Sequence, residues 1–173
     1  MGGKDTEISK ADERDIPSLY KLAEAMADVK EPGFFERCLA EQGASKRDVL
    51  IARHNDVPAG FAMLYWKPSY ALYKRLGIPE IQDLNVAPEM RRQGVGAALI
   101  GYCESLARTK GCEQIGIAVG LDSSYGAAQR LYVRLGYVPD GYGITYDRQP
   151  VSHGEIRPVD GDLCLMMIKD LAE

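Results

Sequence analysis

The run Val86-Ala87-Pro88-Glu89-Met90-Arg91-Arg92-Gln93-Gly94-Val95-Gly96-Ala97-Ala98-Leu99 holds the residue types whose spacing could do chemistry. An apolar strand ends at Val86, a basic loop with two glycines follows, and a helix begins. At a helix N-terminus the first backbone N–H groups have no helical partner, and the macrodipole turns its positive end outward. Gly94 and Gly96 leave room for an anion to approach the backbone, and Arg91 and Arg92 add full charges. The combination reads as a phosphate or pyrophosphate seat. It is not a Walker loop, because G-x-x-x-x-G-K-[ST] is absent. It is not a dinucleotide fingerprint either, because the third glycine of G-x-G-x-x-G is replaced by Leu99. A glycine-started helix with two surface arginines is the plain alternative.

The elements that must position this loop follow from periodicity. Ile81–Val86 reads as the strand that leads into it. The helix after it runs from about Gly94 to Lys110, with Val95, Leu99, Cys103 and Leu106 as its apolar stripe and Gly111 as its stop. Gln114–Val119 reads as a strand. Tyr125–Leu135 reads as a helix with Ala128, Leu131, Tyr132 and Leu135 on one face and Gly136 as a left-handed cap. Upstream, Thr6–Ala11 alternates weakly. Asp12–Ala27 is helical, with Asp15 as N-cap, and Phe34–Glu41 is a second short helix. Residues 49–53 and 57–66 form a hairpin about Asn55-Asp56, its second strand broken at Gly60. Residues 68–79 read as a long irregular stretch, residues 137–162 as turn-rich, and Leu163–Ile168 as a last strand. The order is α+β: antiparallel strands first, then a β-α-β-α-β half.

Composition narrows the class. The chain has 173 residues, 46% hydrophobic and 27% charged, which suits one soluble domain spanning residues 1–173. The net charge of −4 argues against a nucleic-acid partner, which would need a basic face. The charge is uneven. From Asp140 onward there are seven acids and three bases, a balance of −4, which leaves residues 1–139 neutral. That end suits cationic substrates, or is a solvated acidic face. No apolar run approaches the ~20 residues of a membrane helix, so no membrane partner is expected. Residues 1–7 carry no apolar signal core, so the expected location is cytoplasmic. The cysteines at 38, 103, 112 and 164 and the histidines at 54 and 153 have no zinc spacing, so no metal is expected. Cys103 and Cys164 read as buried reduced thiols.

Two motifs carry a family resemblance. Arg91-x-x-Gly94-x-Gly96 after a strand ending at Val86 resembles motif A of the GNAT superfamily of acetyl-CoA-dependent N-acetyltransferases. Tyr125-Gly126-Ala127-Ala128-Gln129-Arg130-Leu131-Tyr132-Val133-Arg134-Leu135-Gly136-Tyr137 resembles its motif B, with Tyr125 standing where the family usually has Asn. The motifs lie in the family's order, and the resemblance covers about residues 49–139. It implies a mixed, mostly antiparallel central sheet flanked by helices on both faces, in a single domain whose cofactor half is about 81–139. It also implies acetyl-CoA as cosubstrate and a small-molecule or peptide amine as acceptor.

The resemblance further implies site roles. The cofactor would meet Arg91, Arg92, Gln93, Gly94, Val95, Gly96 and Ala97 at the loop and helix start, and Tyr125 and Ala128 on the later helix. Main-chain groups of Leu84, Asn85 and Val86 would pair with the pantetheine arm. Tyr132 occupies the place of the tyrosine acid that protonates the leaving thiolate. Two carboxylates compete as base. Asp83, in Ile-x-Asp-Leu-x-Val, matches aminoglycoside 3-N-acetyltransferases, and Glu80, eleven residues before Arg91, matches histone acetyltransferases of the superfamily. The favoured base is Asp83. Strand alternation puts the two on opposite faces unless a bulge intervenes, and Glu80 has the plain reading of a solvated charge at a loop end. Trp66, Tyr70, Tyr73 and Tyr125 are candidates to line an acceptor pocket. A non-catalytic acyl-CoA-binding module of the same fold is the alternative to an enzyme, and a nucleotide-binding regulator is a third reading. A homodimer stays open.

Overall fold

The computed structural model describes residues 6–171. The described residues divide into two compact units, one formed by residues up to 66 and 81–106, the other by residues 67–80 and those from 107 on.

In the first unit, β1 (Thr6–Lys10), β2 (Arg47–His54), β3 (Val57–Tyr65) and β4 (Glu80–Val86, its first residue counted with the other unit) lie in the order β1-β2-β3-β4. β1 and β2 are antiparallel, as are β2 and β3, with Val49 opposite Met63 and Ile51 opposite Phe61. Asn55 and Asp56 join β2 to β3 with φ of 50° and 64°. Two successive left-handed residues match the right-handed twist of the flanking strands, and Asn and Asp tolerate that conformation better than most side chains. Gly60 lies inside β3 and does not break it. A Cβ there would stand 2.4 Å from the Asn85 carbonyl oxygen, so glycine is what lets the β4 backbone approach.

Helices α1 (Ile16–Ala25) and α2 (Phe34–Gly43) cover one face of these strands. Leu19, Leu22 and Ala23 are buried with Phe35, Cys38, Val49, Ile51, Phe61 and Met63. Phe35 is the hub, edge-on to Tyr20 at 4.9 Å and to Phe61 at 5.6 Å between ring centroids. Asp15 stands at the N-cap position of α1, as expected, but its side chain makes no capping hydrogen bond there. A short 3₁₀ turn precedes the helix, and Asp12 caps that turn, accepting from the Arg14 N–H at 2.9 Å while its own N–H donates to the Asp15 carboxylate at 2.9 Å. Asp15 is buried and pairs with Arg53. Helix α4 (Val95–Thr109) buries Val95, Leu99, Ile100 and Cys103.

The second unit holds β5 (Gln114–Gly120), β6 (Val138–Tyr146), β7 (Gln149–Pro150) and β8 (Leu163–Asp170), in the order β5-β8-β6-β7, with every pair antiparallel. It also holds α3 (Ala71–Leu76) and α5 (Gly126–Arg134). Two elements correct the sequence reading. The stretch expected to be irregular contains α3, capped by left-handed Gly77 (φ 71°). Residues 138–146, expected to be turns, form a strand interrupted between Pro139 and Ile144, where Gly141 and Gly143 are left-handed. Cys164 is only half-buried, unlike Cys103.

Tyr73 anchors the second core. It is fully buried against Tyr70, Ile78 and Met166, its ring edge-on to Tyr70 at 4.8 Å, and its hydroxyl donates to the Met167 carbonyl at 2.8 Å. Gly116 of β5 makes the slot, since a Cβ there would fall 2.2 Å from Tyr73 Cε2. Gly116→Ala is therefore expected to destabilise the protein by about 1–3 kcal/mol, the range for overpacking a filled core. Thermal and urea melts check it, and a Gly116→Ala, Tyr73→Phe double variant separates the ring clash from loss of the hydrogen bond.

Candidate active site

The sequence places one group of candidate residues in the first unit. β4 ends at Val86, Ala87 N–H donates to the Ala59 carbonyl at 2.9 Å, and a 3₁₀ turn at Pro88–Met90 follows. The loop then passes through left-handed Arg92 (φ 58°) and left-handed Gly94 (φ 84°) before α4 starts at Val95. The first intrahelical bond is Ala98 N–H to Gly94 C=O at 2.9 Å, so the N–H groups of Val95, Gly96 and Ala97 lie ahead of the helical ladder. A Cβ built on Gly94 meets nothing within 4 Å, so the space beside it is open. Free donors, the positive end of the helix dipole and open space therefore meet at this point, the features an anion would use.

The arginines differ from a pair of phosphate clamps. Arg92 is exposed. Arg91 lies back along β4, with Nε 3.4 Å from the Val86 carbonyl and Nη2 3.4 Å from Met26 Sδ. Gln93 Nε2 donates to the Glu89 carbonyl at 3.0 Å and braces the loop. Leu84, Asn85 and Val86 are half-buried, and the Asn85 side chain donates to the Asp83 carbonyl at 3.1 Å.

Asp83 has φ of 49°, left-handed inside a strand. This is the interruption that breaks plain alternation between Glu80 and Asp83. Its side chain is 30% exposed and sits 3.5 Å from the Lys30 ammonium. Lys30 is itself only 14% exposed, pairs with Asp28 at 2.8 Å, and lies 4.9 Å from the Phe34 ring centroid. Neither Lys30 nor its tie to Asp83 was among the sequence candidates. The segment 26–33 carries no motif, and a contact between residues so far apart leaves no periodic trace. Tyr65 is a further tyrosine of this unit. Burial pushes its phenol up to about 12 against the opposing Arg47 charge, and Arg47 donates to its hydroxyl.

The other candidates belong to the second unit. Glu80 is completely buried, not a solvated loop-end charge, and its carboxylate is 2.9 Å from the Arg148 guanidinium. Arg148 is the second of two left-handed residues, after Asp147, in the turn that joins β6 to β7. Tyr70 and Tyr73 are core residues. Tyr70 is buried and donates to Asp140 at 2.9 Å, so neither ring is a free wall for an acceptor. In the first unit, Trp66 donates its indole N–H to Asp48 at 3.2 Å.

α5 carries Ala128, half-buried, and Tyr132 one turn later, buried and tilted on Tyr137 at 6.2 Å. Burial, with a smaller contribution from Tyr125, pushes the Tyr132 phenol up to about 12. The phenol therefore keeps its proton across neutral pH. The Tyr125 ring lies against β5 and fills the space a Cβ at Gly120 would need, 2.4 Å from Cδ2. Gln129 Nε2 donates to the Gly120 carbonyl at 2.8 Å and holds the start of α5 to the same point. Among the described residues there is no group of three or more His, Cys, Asp and Glu side chains able to hold a metal ion, and no helix long and apolar enough to cross a membrane.

Residues 15–137 match the family described as Acetyltransferase (GNAT) family. No curated protein matches the chain in sequence. Among solved structures, the ribosomal-protein-alanine N-acetyltransferase of Brucella melitensis is similar at TM-score 0.70 and 18% identity, covering 95% of this chain and 99% of that one. The yncA protein of Salmonella typhimurium, solved with its cofactor acetyl-CoA, is similar at TM-score 0.69 and 20% identity, covering 98% and 95%. An aminoglycoside 6′-N-acetyltransferase solved with coenzyme A is similar at TM-score 0.68 and 17% identity, covering 96% and 98%. At these identities the likeness shows a shared mixed α/β fold with a mostly antiparallel sheet.

The Glu80–Arg148 pair makes a stability prediction. Arg148→Ala leaves a carboxylate in a fully buried position and is expected to destabilise by about 2–3 kcal/mol, below the usual range for a wholly buried pair because the Arg148 side chain is 28% exposed. Glu80→Gln, which removes the charge, is expected to be milder. Urea denaturation of both variants checks the order.

Proposed function

We propose that this chain, which belongs to the acetyltransferase (GNAT) family over residues 15–137, is an N-acetyltransferase that moves an acetyl group from acetyl-CoA to a primary amine. The observation that carries the reading is the passage from β4 into α4. Two left-handed residues and an unspent first turn leave the N–H groups of Val95, Gly96 and Ala97 ahead of the ladder, beside open space at Gly94. That arrangement fits a pyrophosphate. When bound, acetyl-CoA supplies the activated acetyl group and a thiolate leaving group. Main-chain groups of Leu84, Asn85 and Val86 hold the pantetheine arm in this reading. Arg92 supplies charge from the surface, and Arg91 and Gln93 shape the loop.

A primary amine is mostly ammonium at neutral pH, with a reference pKa near about 10.4 for a lysine-like group, and must lose a proton before it attacks. We assign that proton to Asp83. Its accessibility supports the choice, because a base must meet the incoming amine, whereas Glu80 is closed in by protein and paired with Arg148. Tyr132 is the proton donor to the leaving sulfur, a role supported by a phenol that stays protonated. The acceptor class is a small-molecule or peptide amine. Four free cysteines suit a reducing compartment, and we place the protein in the cytoplasm.

Two measurements test this. Gly94→Val is expected to abolish acetyl-CoA binding in calorimetry, because the branched side chain takes the open space and φ of 84° strains it. Arg91→Ala should weaken binding only by about 1 kcal/mol, since Arg91 is already turned toward Val86 and Met26. Unchanged affinity in a folded Gly94→Val variant removes the loop from the site.

Steady-state release of free thiol over an amine panel covering aminoglycosides, polyamines, amino acids and peptide N-termini tests the chemistry. It also separates an enzyme from a module that only binds. Asp83→Asn is expected to lower kcat/KM by about 10²–10⁴. Tyr132→Phe should lower kcat with little change in acetyl-CoA affinity, because it removes an interaction made only as the thiolate leaves. Full kcat in a stable Tyr132→Phe variant reduces Tyr132 to a core aromatic. A rate lost in Glu80→Gln and kept in Asp83→Asn moves the base to Glu80.

A further inference from the structure

Among the lysines whose ion pairs are described, Lys30 stands apart from Lys10. Lys10 pairs with Asp48 from a side chain 46% exposed, an ordinary surface arrangement. Lys30 is 14% exposed, rests near the Phe34 ring, and places its ammonium between two carboxylates, 2.8 Å from Asp28 and 3.5 Å from Asp83. All four residues belong to the first unit. A primary ammonium beside carboxylates is held charged by them, and has in them the nearest groups that could take its proton. Here the chain supplies that amine itself.

We infer that Lys30 is a self-acetylation site, an in-chain acceptor amine placed at the carboxylate that deprotonates acceptors. The inference rests on the reading of Asp83 as base. Burial pushes the Lys30 amine down, but the hydrogen bond to Asp28 and the charges of Asp83 and Asp28 outweigh it and hold the group above its ordinary value. Lys30 is thus an ammonium at rest and reacts only where a base takes its proton. In the step, a proton passes from Nζ to the Asp83 carboxylate, and the freed lone pair forms the N–C bond to the acetyl carbon of acetyl-CoA. The C–S bond of the thioester breaks and the sulfur leaves with a proton as free coenzyme A thiol. The product is a neutral amide at residue 30. It no longer forms ion pairs with Asp28 and Asp83, so the modification frees Asp83 from its resident cation.

The test uses the whole purified protein with acetyl-CoA and no added amine, read by mass spectrometry of the peptide that contains residue 30. Acetyl-CoA affinity is measured in parallel by calorimetry. The expected result is acetylation of Lys30 with a rate constant independent of protein concentration. It should be about a hundredfold faster than at the same lysine in heat-unfolded chain, the lower end of what a placed base supplies. Asp83→Asn should lose that advantage while Lys30 stays in the folded chain. Lys30→Arg, which keeps a cation beside Asp83, should carry no label at that position.

A protein that acetylates an external amine but labels Lys30 no faster than the unfolded chain overturns the inference and leaves the proposed function standing. A rate that rises with protein concentration assigns the transfer to collisions between copies and also overturns the in-chain site. A protein that neither binds acetyl-CoA nor labels Lys30 overturns both.

Discussion

The start of α4 depends on backbone donors that the protein leaves outside its own helical ladder. Elsewhere the chain spends carboxylates on such groups. Asp12 caps the turn before α1, and Asp122 accepts from Ser124 N–H at 2.7 Å ahead of α5. Gly94 has no side chain to offer, and its φ of 84° belongs to the region where glycine alone is at ease. The chain turns from β4 into α4 within a few residues by making Arg92 left-handed as well. That geometry is costly for a non-glycine residue and is kept where surrounding structure demands it. With Arg92 and Gly94 left-handed, the turn from β4 delivers α4 with the N–H groups of Val95, Gly96 and Ala97 ahead of its ladder, and the proposed seat uses that geometry.

The two carboxylates of β4 show how environment divides identical chemistry. Glu80 enters a fully buried position and is matched by a guanidinium brought in on the tight β6–β7 turn, so its charge is absorbed by structure. Asp83, on a left-handed backbone that breaks the strand's alternation, keeps contact with solvent, and its partner is the Lys30 ammonium. A planar guanidinium held on a two-residue turn is a permanent counter-ion. An ammonium on a four-carbon stem can be moved or chemically neutralised. The difference in partner is as informative as the difference in exposure.

What could be read from the sequence was local. Asn55-Asp56 between apolar runs gave the hairpin, because its turn chemistry sits within two residues. The Val86–Ala98 passage gave the strand end, the left-handed turn and the helix start, because these are adjacent in the chain. The α5 face gave Tyr132, because a four-residue spacing survives tertiary packing. The misses have one cause. α3 has six residues, too few to display a period, and is held by Tyr73 packing on Gly116. β6 is mostly exposed and contains Pro139, Gly141 and Gly143, so its composition says turn, and only pairing with β8 makes it a strand. The Arg148 partner of Glu80 lies 68 residues away, and no spacing rule reaches that far.

Tyr125 shows how a departure from a family pattern is absorbed. The motif around Ala128 resembles one in which Asn stands at this position, and a tyrosine ring is far larger. The ring lies on β5 where residue 120 has no Cβ, and any side chain there would meet it at 2.4 Å. Gln129 then ties α5 to the carbonyl of that same glycine. One missing methyl group on β5 thus admits the larger residue and sets the level at which α5 begins, which in turn sets where Tyr132 falls one turn after Ala128. Gly116, four residues earlier on the same strand, does the same for Tyr73. β5 carries its two glycines on one face because two tyrosine rings must lie against it, and the tyrosine proposed as the acid is positioned through one of those two contacts.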